Sequence, residues 1–158
     1  MKILDATALI AFLRELDFED GLRRLSTIHR LVVPTGVASE VKKPPASIRL
    51  ASLLDEGVLV KRAAPTERVG ELRTRFLDIG QGECECVALS ETLAAKESLV
   101  VVTDDKQVRK RVPGPRYVWT QQLLVYMVKR GLLSLQSGED LLRKLAASSF
   151  YSARPPNR

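Results

Sequence analysis

Histidine is almost absent from this chain, and cysteine is scarce. The 158 residues contain one histidine, His29, and two cysteines, Cys84 and Cys86, as a C-x-C pair within GECEC. Two thiols and one imidazole cannot close a tetrahedral zinc site, and the spacing matches no disulfide framework. The cysteines read as small, buried helix residues. With one imidazole and no partner for it, histidine-based acid–base catalysis has little to work with.

Long apolar runs are missing too. The longest, residues 8–13 and 123–128, have six members each, against the ~20 a membrane-spanning helix needs. The amino terminus reaches an aspartate at position 5 and has no apolar signal segment. The expectation is a cytoplasmic protein without membrane contact. Charge is the surplus: 25 Lys and Arg against 19 Asp and Glu, a net +6, which suits a polyanionic partner such as nucleic acid.

Short β-type runs alternate with helical patterns. KIL (2–4), LVV (31–33), VLVKR (58–62), LVVVT (99–103) and YVW (117–119) are continuous apolar segments rather than alternating ones, as expected of strands covered on both faces. Between them, helical periodicity covers residues 8–16, 20–29, 34–43, 46–55, 66–77, 83–95, 107–112, 121–129 and 138–149. Such alternation implies βαβ units and a parallel sheet with helices on both faces. The expected organisation is one α/β domain over residues 1–152, followed by a frayed tail, 153–158.

In a parallel sheet, chemistry collects at the carboxyl ends of the strands. Asp5 follows the first strand directly, and Asp104 and Asp105 follow the fourth. Glu40 lies one and a half turns beyond the second strand. Glu83 and Glu85 open the helix after Gly80-Gln81-Gly82. Each acid also has a plain structural use. Asp5 and Asp104 or Asp105 fit helix caps, Glu83 complements a helix dipole, and Glu40 fits a solvated face.

Together at one edge they repel, since two unit charges 4 Å apart cost about 4 kcal/mol at an effective dielectric of 20. Oxygen ligands without thiol or imidazole suit Mg2+ or Mn2+. Next to a basic surface, such a site suits phosphodiester hydrolysis. Lys42, Lys43, Arg109, Lys110 and Arg111 are the candidate contacts to an RNA backbone, although solvated helix faces carry similar runs. Glu83 and Glu85, two apart, point about 200° apart on a helix; Glu83, nearer the glycine break, is the expected site residue and Glu85 the second candidate.

These segments resemble the PIN-domain nucleases over nearly the whole chain. LDATALIAFL (4–13) resembles the family's opening strand, acid and helix, with Thr7 two residues past the acid. VVPTGVASEV (32–41) is similar to the second motif. GQGECECVALS (80–90) resembles the GE-x-E-A-x-A-L-A motif of a bacterial and archaeal subgroup, with cysteine twice in place of alanine. VVTDDKQVRK (101–110) resembles the T-x-D-[RK]-x-x-[RK] block. Residues 117–133 and 138–153 resemble the subgroup's last strand and closing helices. The third acid departs from the pattern, being Glu rather than the commoner Asp.

The resemblance implies a three-layer α/β/α sandwich with a five-stranded parallel sheet, and a Mg2+- or Mn2+-dependent ribonuclease. Members are often VapC-like toxins with a partner antitoxin, and often homodimers. It carries catalytic acids onto Asp5, Glu40, Glu83 and Asp105, with Asp5, Glu83 and Asp105 as metal ligands and Asp104, Thr7 and Thr103 in support. Asp104, in the variable place, is free to cap the following helix. A haloacid-dehalogenase-type phosphatase would need an Asp where Thr7 stands, and a receiver domain would need an Asp where the third strand ends in KRAAP. The remaining alternative is a catalytically inert domain of the same fold that binds RNA or protein.

Overall fold

A computed structural model describes residues 1–93 and 98–148. The expected tail, 153–158, and the last residues of two expected helices lie outside the described residues. Five strands, β1 (Lys2–Leu4), β2 (Leu31–Pro34), β3 (Leu59–Arg62), β4 (Val100–Val102) and β5 (Tyr117–Val118), form one parallel sheet in the order β3-β2-β1-β4-β5. Lys2 stands opposite both Leu31 and Val100, and Leu4 opposite Val102. β1, β2 and β4 are buried throughout, as their unbroken apolar runs require. β3, at one edge, turns Lys61 and Arg62 to solvent.

Helices cover both faces, giving the three layers expected from the sequence. On one side are α1 (Ala6–Ile10) and a π-helical turn, Ala11–Glu15, with α2 (Glu19–Ser26), α4 (Ala46–Asp55), α8 (Thr120–Lys129) and α9 (Leu135–Ala147). The expected single helix over residues 8–16 is therefore split. The capping carboxylate of Asp5 starts it two residues early, and the Leu16 N–H reaches back five residues to Ala11.

The other side carries α6 (Gln81–Leu93), with α5 (Thr66–Arg75) and α7 (Lys106–Arg111) behind it. α6 is apolar on two faces because it is covered twice. Cys86 and Leu89 join the main core, whereas Cys84, Val87 and Ala88 pack in a smaller one with Val69, Leu72 and Val108. Both thiols are free and buried, as the sequence implied. α3 (Thr35–Glu40) lies at the carboxyl end of β2, against α6.

The apolarity of α8 is spent inside the molecule, where Leu123, Leu124 and Met127 are core residues; it is not in itself an argument for dimerisation. Among the described residues no helix is long and apolar enough to cross a membrane. The strand order turns back between β1 and β4, and in open parallel sheets the crevice at that point, outside the carboxyl ends, is where ligands bind.

Candidate active site

Asp5 leaves β1 at that crevice and is 1% exposed. Its carboxylate caps α1, accepting the Ala8 N–H at 2.9 Å and the Thr7 hydroxyl at 2.6 Å. Its second oxygen accepts the Thr103 hydroxyl from the end of β4. The two threonines are held in turn: Thr7 Oγ1 accepts the Asp104 N–H at 3.0 Å, and Thr103 Oγ1 accepts the Asp105 N–H at 3.1 Å. Three hydrogen bonds favour the ionised carboxylate, yet burial outweighs them. Helped by the neighbouring charge of Asp104, burial raises the Asp5 pKa from 3.8 to about 7.

The two aspartates after Thr103 divide differently from the sequence expectation. Asp105 caps α7, accepting the Gln107 N–H at 2.7 Å. Asp104, 9% exposed, instead takes the first residue of α8: the Thr120 N–H donates to it at 2.9 Å and the Thr120 hydroxyl at 2.6 Å. The capping role expected of Asp104 on α7 thus belongs to Asp105. Thr120 is a partner the sequence did not reveal, because its link to Asp104 depends on β4 and β5 lying side by side.

α3 and α6 meet through a pair of reciprocal contacts. Glu40, on α3, accepts the Gly82 N–H at 3.1 Å, and Glu85, on α6, accepts the Gly36 N–H at 2.7 Å. Each carboxylate sits on an amide of the other helix's first turn, where unpaired N–H groups concentrate positive charge. Glycine leaves room for the carboxylate at both places: a Cβ on Gly36 would stand 2.3 Å from Glu85 Oε1, and one on Gly82 would stand 2.6 Å from Glu40 Oε1, so either carboxylate would have to move. The Glu83 carboxylate folds back beside Gly80.

Burial, then the charge of Glu83, then that of Glu85 raise the Glu40 pKa, against the Gly82 hydrogen bond. The charges of Glu83 and Glu85 both bear on Glu40. Burial, and then the charges of Asp5, Glu83, Glu85 and Glu40, push the buried Cys86 thiol well above its ordinary pKa. Four acids from β1, α3 and α6 thus converge on one region.

Gly82→Ala tests this packing. The clash is with the tip of a side chain, so Glu40 swings off the Gly82 amide and the helices stay in place. The better helix propensity of alanine, about 1 kcal/mol, offsets much of the lost charged hydrogen bond. If the nuclease expectation holds, the result is a melting curve within about 1 kcal/mol of wild type and nuclease activity reduced about 10- to 100-fold. Parallel thermal melts and cleavage rates check it; a variant that cleaves at the wild-type rate gives the Glu40 position no catalytic weight.

An open groove of about 510 Å3 runs beside Glu40 and Glu85, lined also by Thr35, Ser39, Lys42 and Thr66. Of the candidate cations, Lys42, Lys43, Lys110 and Arg111 are exposed. Arg109 is half-buried with its guanidinium 3.8 Å from the centre of the Trp119 ring, and Arg111 pairs with Asp78. Each of those two arginines has a partner on the protein itself that no local pattern announced.

The donor set fits a hard divalent cation: the converging side chains offer carboxylate oxygens, with hydroxyls behind them. Among the described residues no three potential ligand groups already stand close enough to hold an ion. Glu40, Glu83 and Glu85 are each engaged by a helix start or folded beside one, so closure around a cation calls for side-chain rotation. No curated protein matches the chain. A family model described as a PIN domain matches residues 1–155, a family identity that supports a nuclease-type activity. On that match, and with the parallel sheet and its acid-lined edge, the chain belongs to the PIN-domain family.

Proposed function

We propose that this protein is a Mg2+- or Mn2+-dependent ribonuclease that hydrolyses phosphodiester bonds at the crevice between β1 and β4. The observation that carries the reading is Asp5, a buried carboxylate at the switch point, held in fixed orientation by two threonines and flanked by acids from three other segments. Strongly perturbed carboxylates in such a place mark functional sites.

Asp5, Glu83 and Asp105 would hold the cation. When bound, it supplies Lewis-acid activation of water and neutralises charge on the phosphate. Thr7 and Thr103 fix the Asp5 oxygens and leave it one orientation. Glu40, whose pKa is raised, is suited to take a proton from the attacking water. The water oxygen bonds to phosphorus, the bond from phosphorus to the 3′ oxygen breaks, and a proton passes to that leaving oxygen. Lys42 and Lys43 beside the groove, and Lys110 on α7, would hold backbone phosphates.

The route predicts products with a 3′-hydroxyl and a 5′-phosphate, formed only with Mg2+ or Mn2+ present. Mapping the ends of a cleaved single-stranded RNA checks it. A 2′,3′-cyclic phosphate, or equal cleavage in chelator, would overturn it, and no cleavage with either ion would leave the inert-domain reading standing. The likeness to VapC-like toxins supports a cytoplasmic toxin of a toxin–antitoxin pair, acting as a homodimer. Growth arrest on expression, relieved by co-expressing the product of an adjacent small gene, is the matching cellular test.

A further inference from the structure

In the proposed function Glu85 braces α3 and holds no cation, yet its carboxylate is fixed on both oxygens. It is 8% exposed. The Gly36 N–H donates to Oε2 at 2.7 Å, and Gln81 Nε2 donates to Oε1 at 3.1 Å. Gln81 is itself fixed from the other end, where its amide oxygen accepts from Arg73 Nη1 at 3.3 Å. Each carboxylate oxygen has room for two donors, so Glu85 retains acceptor capacity on both. It lines the groove of about 510 Å3.

The lining of that groove sorts what can enter. Thr35 and Ser39 bring hydroxyls from α3, and Thr66 brings one from the start of α5. Ala63 and Ala64 are small and leave space. The volume is within the range that holds a small ligand. Two carboxylates, Glu40 and Glu85, repel phosphate, whereas the exposed Lys42 attracts it. What the carboxylates favour is an uncharged group rich in N–H or O–H: a ribose hydroxyl, or the amino and imino groups of a base. A nucleotide offers both, joined to the phosphate that Lys42 attracts.

We infer that this groove is the nucleoside subsite of the proposed ribonuclease, and that Glu85, steadied by Gln81, accepts hydrogen bonds from the ribose or base beside the cleaved bond. The inference takes its substrate class from that reading. It also divides the two glutamates of the GECE segment: Glu83 serves the cation, and Glu85 the sugar or base. Gln81 is then a positioning residue, acting through Glu85.

The Gly36 amide, bonded to Glu85, reports on the groove through its nuclear magnetic resonance. In chelator, the protein is titrated with the common ribonucleoside 5′-monophosphates, with their 2′-deoxy counterparts and with inorganic phosphate. The expected result is a saturable shift of that resonance with at least one ribonucleotide. Binding is weakened about tenfold or more in Glu85→Gln and in Gln81→Ala, which also lose the selectivity among nucleotides. Preference for one base assigns the contact to the base; loss of binding with the 2′-deoxy forms assigns it to the ribose. No saturation by any nucleotide, equal binding of every nucleotide, an equal response to inorganic phosphate, or undiminished binding in both variants overturns the inference. Gln81 is exposed, so its variant tests the subsite even where Glu85→Gln disturbs α3. RNA cleavage is measured separately with Mg2+. Cleavage without nucleotide binding removes the subsite and keeps the nuclease, whereas binding without cleavage keeps the nucleoside groove and removes the nuclease.

Discussion

Asp5→Asn is expected to lower divalent-cation-dependent RNA cleavage by at least about a thousandfold while leaving the fold intact. Asparagine is as good a helix cap as aspartate, so its amide oxygen can still accept the Ala8 N–H and the Thr7 hydroxyl. On the other side its NH2 group meets Thr103 Oγ1, which has a free lone pair once its own proton turns away. The shape therefore survives and the negative charge is lost. Losing a charge positioned at the reacting phosphate costs on the order of several kcal/mol in transition-state binding. Single-turnover cleavage of a labelled RNA, with circular dichroism to confirm folding, measures it. Cleavage within tenfold of wild type in a folded sample would remove Asp5 from the mechanism.

The same substitution is expected to stabilise the protein when divalent cations are withheld. The folded-state pKa of Asp5 lies above its ordinary value, so the folded protein binds more protons than the unfolded one between about pH 4 and pH 7. Stability therefore falls as pH rises through that window and levels off above it. A rise from 3.8 to about 7 corresponds to at most about 4 kcal/mol, and about half of that is a realistic expectation.

In chelator at pH 8, Asp5→Asn should thus melt higher by about 4–8 °C, with a flatter dependence on pH. Mn2+ added to the wild type should recover the loss by mass action on the folded state, and should do little for the variant. Thermal melts across pH 4 to 8, with and without Mn2+, decide it. A wild type whose stability is flat across that range, or a variant that melts lower, would mean that Asp5 serves the fold.

The sheet and its acid edge were legible because each rests on local pattern. Unbroken apolar runs such as LVVV can be satisfied only by burial on both faces, and the residue after such a run falls at a strand's end by necessity. That reasoning placed Asp5 beside Thr103 although 98 positions separate them. Element edges were less legible. Ser134 starts α9 three residues before the expected helix, its hydroxyl accepting the Ser137 N–H. The reciprocal braces between α3 and α6 were out of reach. Glu40 meets Gly82 and Glu85 meets Gly36 only because two helices from distant segments approach closely, and a lone glycine gives no sign of which carboxylate will occupy the space beside it. The pairing of Arg111 with Asp78 was out of reach for the same reason, since it is a tertiary fact.

Trp119 is the only tryptophan in the chain. It sits between the end of β5 and the start of α8 with the Arg109 guanidinium over its ring. All of the protein's indole emission therefore originates at one point, next to the residues that follow β4. A polyanion that draws Arg109 off the ring alters that emission. The molecule thus carries a built-in optical gauge of what happens to α7, usable without any label.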